Sequence, residues 1–246
     1  MIRQIGPACR GESAVLRYAS RQEDRRMESQ PKENPRLLPK AVISGSRGPI
    51  NGLARLFIKL GLGPNALSLL GMAAGVGTGV LIWQGLPLWA LGAGFLCGVF
   101  DLCDGQVARL TGRTSAFGAF FDSTLDRYTE FFMYAGAAAW MDRPWAYLLA
   151  GLAFLGSVGV SYTRARAEGL GLQCKSGWLQ RGERLVLLGL AIVVGVATRR
   201  LQLTLAIVLG AIGLLSNITA VQRILYVYRL IGKNPPRAEP PPKTGA

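Results

Sequence analysis

The sequence predicts an all-α, polytopic membrane protein: six transmembrane helices preceded by an N-terminal amphipathic helix at the membrane interface. Three observations predict it. Half of the 246 residues are hydrophobic and only 17% are charged, where a soluble domain is nearer a quarter charged. Residues 60–100, 144–163 and 201–222 contain no Asp, Glu, Lys or Arg, and about 20 apolar residues suffice to cross a bilayer as a helix. The net charge is +14, which suits anionic partners such as lipid headgroups and phosphates. Together these exclude an ordinary cytosolic globular domain, a disordered chain and a disulfide-stapled secreted module. The absence of His excludes histidine chemistry. Cys9, Cys97, Cys103 and Cys174 form no C-x-x-C pair and read as free, reduced thiols rather than a zinc site.

Residues 1–49 read as a flexible, basic cytoplasmic segment. Residues 1–63 hold 12 Lys/Arg against 5 Asp/Glu, and no apolar stretch follows the first arginines as a secretory signal requires. A Lys/Arg-rich segment ahead of a first span suits anionic lipid. Residues 50–60 place Leu53, Leu56, Phe57 and Leu60 on one helical face, the pattern of a helix lying in the membrane interface. An extended start to the first span is the competing reading. Spans are expected at residues 64–84, 88–111, 119–140, 144–168, 181–198 and 201–230, so that residues 50–232 form one membrane domain. Residues 233–246 are Pro-rich and read as a disordered tail.

Six spans put both termini on one side. The N-terminal segment, Arg109 and Arg113, the 164–184 segment and the tail then share that side, with Arg143 and the Arg199–Arg200 pair opposite. The positive-inside rule makes the richer side cytoplasmic. A cell inner membrane is the expected location. Gly71, Gly75 and Gly79, then Gly94 and Gly98, form small-xxx-small rows that suit close helix packing within the chain or in a homodimer.

Beyond residue 60 there are nine acids, and four of them are aspartates inside or at the ends of the second and third spans. Charge in a span is costly and points to function. Asp101 and Asp104 are spaced i, i+3, and Asp122 and Asp126 i, i+4, so each pair shares a helix face. A short turn makes the two helices antiparallel neighbours, and four carboxylates converge. They repel unless cations lie among them; hard cations with oxygen ligands, Mg²⁺ or Mn²⁺, fit. Gly105 leaves room for a ligand beside the helix, Arg109 is within reach of a phosphate, and Gly118 lies where the turn enters the third span. Two metals clamping a diphosphate would support in-line phosphoryl transfer. A carboxylate-lined transporter is the competing class, although no second half repeats the first.

The run from Asp101 to Asp126 fits D-x2-D-G-x2-A-R-x8-G-x3-D-x3-D at all eight fixed positions: Asp101, Asp104, Gly105, Ala108, Arg109, Gly118, Asp122 and Asp126. It resembles the signature of the CDP-alcohol phosphotransferase family. The resemblance implies cleavage of a CDP-linked donor with release of CMP and transfer to an acceptor hydroxyl. It implies a two-metal Mg²⁺ or Mn²⁺ site with Asp101, Asp104 and Asp122 as ligands. Asp126 is then the general base and a further metal contact. Gly105, Ala108, Arg109 and Gly118 would line the CDP pocket. Pro64, Asn65 and Ser68 resemble the family's P-N-x-[LI]-T element with Ser68 for Thr. Asn65 is either a nucleotide contact or a helix N-cap.

Arg164, Arg166, Arg181 and Arg184 are expected to gather near the aspartates. Arginine suits bidentate phosphate binding, and positive-inside charge is the plainer explanation. For Arg164, Arg166 and Arg181 an acceptor phosphate is the preferred reading. This part of the chain also resembles the bacterial phosphatidylinositol phosphate synthases within the family, with Gln180 and Gly182 departing from their E-R-P-E-R element. The expected reaction is thus phosphatidyl transfer from CDP-diacylglycerol to a phosphorylated polyol. Inositol 1-phosphate comes first and glycerol 3-phosphate is the rival. A catalytically dead scaffold would have lost one of the four aspartates; this chain keeps them all.

Overall fold

The computed structural model describes residues 47–172 and 179–233, and these are all helical apart from short turns. Helix α1 spans Arg47–Lys59, α2 Pro64–Trp83, α3 Pro87–Leu110 and α4 Ala116–Met141. Then come α5 Pro144–Gly169, α6 Arg181–Ala197 and α7 Leu201–Lys233. Cys9, Cys174, Lys175, most of the basic N-terminal segment and the Pro-rich tail lie outside the described residues.

Proline sets three of the starts. Pro64, Pro87 and Pro144 occupy the first turn of α2, α3 and α5, where the missing N–H costs nothing and the fixed φ is already helical. Gly112, at φ 66°, takes the left-handed conformation that turns the end of α3 towards α4. The two aspartate-bearing helices are not the packed antiparallel neighbours that the short turn suggested: both pack along α2, which lies between them.

Four helices are long and apolar enough to cross a membrane: α2, α3, α5 and residues Leu201–Ile231 of α7. Helix α4 is long enough, but Asp122, Asp126, Arg127 and Glu130 interrupt its apolar surface. Helix α6, at 17 residues, reaches about 26 Å at 1.5 Å per residue, slightly under the ~30 Å hydrocarbon core. Large apolar side chains stand outward on the long helices, among them Phe95 at 72%, Leu148 at 69% and Leu214 at 64% exposure. A surface so apolar suits lipid and not water.

Glycine brings the helices into contact. A methyl group at Gly75 would lie 2.3 Å from the Thr129 side chain, and one at Gly79 would lie 2.2 Å from the Phe132 carbonyl oxygen. Helices α2 and α4 therefore cross backbone against backbone. Gly71 meets Phe100 and Cys97 of α3. Three glycines of the first row thus pack within the chain. Gly94 faces Thr78 more loosely at 3.6 Å, whereas Gly98 has nothing within 4 Å among the described residues. Across the molecule, Gly156 sits against Ser216 and Asn217 to join α5 to α7.

Helix α1 covers the run expected to be amphipathic. Its fully buried Ala54 packs with Leu67, Cys103 and Val107 at the start of α2 and the end of α3. Leu53 and Phe57 pack around this cluster, whereas Leu56 and Leu60 are exposed. The apolar face is thus split between the protein and the outside. Cys97 and Cys103 are free and buried.

Candidate active site

The aspartates meet as their spacing demands. Oxygen atoms of Asp101 on α3 and of Asp122 and Asp126 on α4 lie within 4.8 Å of one another. Asp104, one turn beyond Asp101, lines the same small pocket, with Ser68, Gly71 and Thr129. Its carboxylate accepts a 2.7 Å hydrogen bond from the Ser68 hydroxyl and a 2.5 Å bond from the Gly105 N–H. The hydroxyl that replaces threonine at position 68 thus orients Asp104. Three half-buried carboxylates within 4.8 Å form an all-oxygen donor set, which fits a hard divalent cation.

One arginine already sits on this cluster. Arg181, the first residue of α6, pairs through Nη1 with Asp101 and, at 2.8 Å, with Asp126. Its Nε is buried and has no hydrogen-bond partner. Arg127 lies 3.5 Å from the other Asp126 oxygen and donates to the Ser123 carbonyl.

The far side of Arg181 faces a second, much larger cavity of about 1240 Å³ between α4, α5 and α6, which Arg127, Arg164 and Tyr162 also line. Arg181 is a wall common to the aspartate pocket and this cavity. Arg164 reaches it while paired at 2.8 Å with Glu168 one turn along α5. The expected gathering of four arginines is only partly present. Arg166 is exposed and does not line the cavity. Residues two apart on a helix point to different sides, so Arg164 and Arg166 cannot share the task. Arg184 also lines the cavity but is almost wholly buried: its side chain is 2% exposed and holds the 1% exposed Glu130 at 2.5 Å. It also donates to the Leu179 carbonyl at 2.8 Å.

The residues expected around a nucleotide border the aspartates on the other side. Gly63 is the N-cap of α2 and Pro64 follows it, so Asn65 stands second in the helix and not at its cap. Its side-chain oxygen is 3.7 Å from where a Cβ of Gly118 would lie, and the Gly118 N–H donates to Ser115, the true cap of α4, at 2.9 Å. Gly105 likewise faces the guanidinium of Arg109. Arg109 is exposed and holds Gln106 through two bonds of 3.0 and 2.7 Å. Gln106 in turn donates to Asn51 of α1. Ala108 lies half-buried one turn beyond Asp104.

Sequence reasoning left three features without a role: the Ser68–Asp104 bond, the Gln106–Asn51 link and the Glu130–Arg184 pair. Glu130 carried a signal, being a third acid at four-residue spacing after Asp122 and Asp126.

The profile of the CDP-alcohol phosphatidyltransferase family matches residues 62–227. The chain is 34% identical over 194 residues to a phosphatidylinositol phosphate synthase of Corynebacterium glutamicum, covering 76% of this chain and 85% of that protein. It is 39% identical over 159 residues to an archaetidylinositol phosphate synthase of Methanothermobacter thermautotrophicus, covering 64% and 75%. The crystal structure of the Mycobacterium tuberculosis phosphatidylinositol phosphate synthase with CDP-DAG bound superposes with a TM-score of 0.65 at 28% identity, over 73% of this chain and 93% of that one. The same enzyme in complex with manganese and citrate gives a TM-score of 0.64 over 73% and 88%.

Proposed function

The chain belongs to the CDP-alcohol phosphatidyltransferase family, and we propose that it moves the phosphatidyl group of CDP-diacylglycerol to a phosphorylated polyol, first inositol 1-phosphate, with release of CMP. The observation that carries this reading is Arg181. It joins the aspartates to a cavity of about 1240 Å³ that also holds Arg164. Arg127, Arg164, Arg181, Arg184 and Arg223 all line this one cavity, and such guanidinium groups suit a phosphate beside the reacting hydroxyl. The names of the relatives from Corynebacterium and Methanothermobacter favour an inositol phosphate over glycerol 3-phosphate.

In this reading Asp101, Asp104, Asp122 and Asp126 hold two divalent cations, Mg²⁺ or Mn²⁺. Bound there, the cations neutralise the donor diphosphate and stabilise the leaving CMP. Asn65, Gly105, Ala108, Arg109 and Gly118 border the cytidine end of the donor. Arg164 and Arg181 hold the acceptor phosphate. The acceptor hydroxyl oxygen attacks the phosphorus that bears diacylglycerol, the bond from that phosphorus to the CMP oxygen breaks, and Asp126 takes the hydroxyl proton.

All six long helices span the membrane in this reading, with α1 at the interface and both termini and the site on the cytoplasmic side of a cell inner membrane. A homodimer would use the open Gly98 face of α3. The test is an acceptor screen on protein in detergent with Mn²⁺ and CDP-diacylglycerol, with the lipid product weighed by mass spectrometry. Phosphatidylinositol phosphate formed from inositol 1-phosphate is expected. Phosphatidylglycerol phosphate alone would reassign the acceptor, and a product only with unphosphorylated alcohols would reassign Arg164 and Arg181 to topology.

A further inference from the structure

Arg181 stands where a cation is needed, and its surroundings differ on its two sides. Towards α3 and α4 it bridges Asp101 and Asp126, two of the three residues whose oxygens come within 4.8 Å. Towards α5 it faces the cavity of about 1240 Å³. A guanidinium and a divalent cation would compete for the same carboxylate oxygens, and each repels the other at this range. The arginine is also incompletely satisfied, because its buried Nε has no partner, and a buried donor without an acceptor is costly.

The backbone beneath it is held. Arg184, one turn along α6, is locked to Glu130 and to the Leu179 carbonyl, and the Gln180 N–H donates to Glu183 at 2.8 Å. Motion of Arg181 is therefore confined to its side chain.

We propose that Arg181 is an exchangeable counter-ion of the aspartate cluster: a divalent cation displaces it, and the released guanidinium swings into the large cavity to meet an acceptor phosphate. The second half of this statement rests on the proposed function; the first does not. Metal and phosphorylated acceptor then bind with positive coupling, because each favours the same arginine position.

The test uses the full chain in detergent with no donor present. Mn²⁺ binding is read from the electron paramagnetic resonance signal of free Mn²⁺. Arg181→Gln is expected to bind Mn²⁺ more tightly, on the order of tenfold, the scale of one charge-assisted hydrogen-bonded pair. Inositol 1-phosphate should tighten Mn²⁺ binding in the wild type and not in the variant. The wild type alone supplies a second readout. Mn²⁺ should speed modification of Arg181 by phenylglyoxal, located by peptide mass. Unchanged or weaker Mn²⁺ binding in Arg181→Gln, or slower modification with Mn²⁺, overturns the counter-ion. Tighter binding in the variant, with no response of the wild type to inositol 1-phosphate, upholds the counter-ion and overturns only the phosphate half.

Discussion

Two carboxylate–arginine pairs join α4 to α6 one turn apart, and they differ in exposure. Glu130 and Arg184 are 1% and 2% exposed, whereas Asp126 and Arg181 are 12% and 17% exposed and line the aspartate pocket. The residue types and the two helices match, so burial separates the roles. The drier pair has little room to exchange partners and holds the helices together, although Arg184 also touches the cavity wall. The more exposed pair can trade partners. Charge in a membrane helix is therefore not one kind of signal: Glu130 is locked to a buried arginine, whereas Asp126, four residues before it, joins the aspartate cluster.

The sharpest way to break this contrast is to disable each carboxylate in turn. Asp126→Asn is expected to lower CMP formation by roughly 10²–10⁴-fold, the range of a lost general base, while CDP-diacylglycerol still binds and the thermal midpoint barely moves. Near-normal turnover would remove Asp126 from the reaction. Glu130→Ala should do the reverse. It leaves Arg184 buried without its partner, at a cost of about 3–5 kcal/mol. A clear fall in thermal midpoint in detergent is expected, and the loss of activity should follow the loss of folded protein.

Gly79→Ala probes the frame that carries both carboxylates. Its methyl group would lie 2.2 Å from a backbone oxygen of α4, so α2 and α4 must part, costing roughly 1–3 kcal/mol as overpacking does. A thermal midpoint equal to wild type would show that the crossing is looser than described. The smallest effects belong to the cavity rim. Arg164→Ala should raise the acceptor KM on the order of tenfold and leave the donor KM within about twofold. Equal changes in both would count against an acceptor phosphate there. Arg166→Ala, on the outer side of the same helix, should leave both constants unchanged.

The aspartate cluster was legible because most of its information is local. Asp101 and Asp104, then Asp122 and Asp126, lie at helical spacings that put each pair on one face, and α2, against which both helices pack, brings the two faces together. The helix boundaries followed from the same apolar runs. The arginine side depends on α6, which reaches α4 across many residues of chain. No spacing rule tells which of Arg181 and Arg184 meets the aspartate cluster and which is locked to the buried Glu130. That is set by the angle at which α6 packs, and it depends on Glu130 being ready to take a buried guanidinium. Arg166 was grouped with Arg164 by proximity in sequence, although a helix turns slightly more than half a revolution between them. Asn65 was balanced between cap and ligand because the choice rests on whether Gly63 or Asn65 ends the preceding turn. Both are residues that helices accept at the N-cap.

Phosphatidyl transfer at the aspartate cluster is tested most directly by following the phosphorus that bears diacylglycerol. CDP-diacylglycerol labelled at that phosphorus is incubated with the protein, Mn²⁺ and inositol 1-phosphate. The label is expected in a new lipid, with unlabelled CMP released, and both are expected to vanish when Mn²⁺ or the acceptor is left out. Label appearing in water-soluble phosphate, or CMP released at the same rate without acceptor, would contradict it.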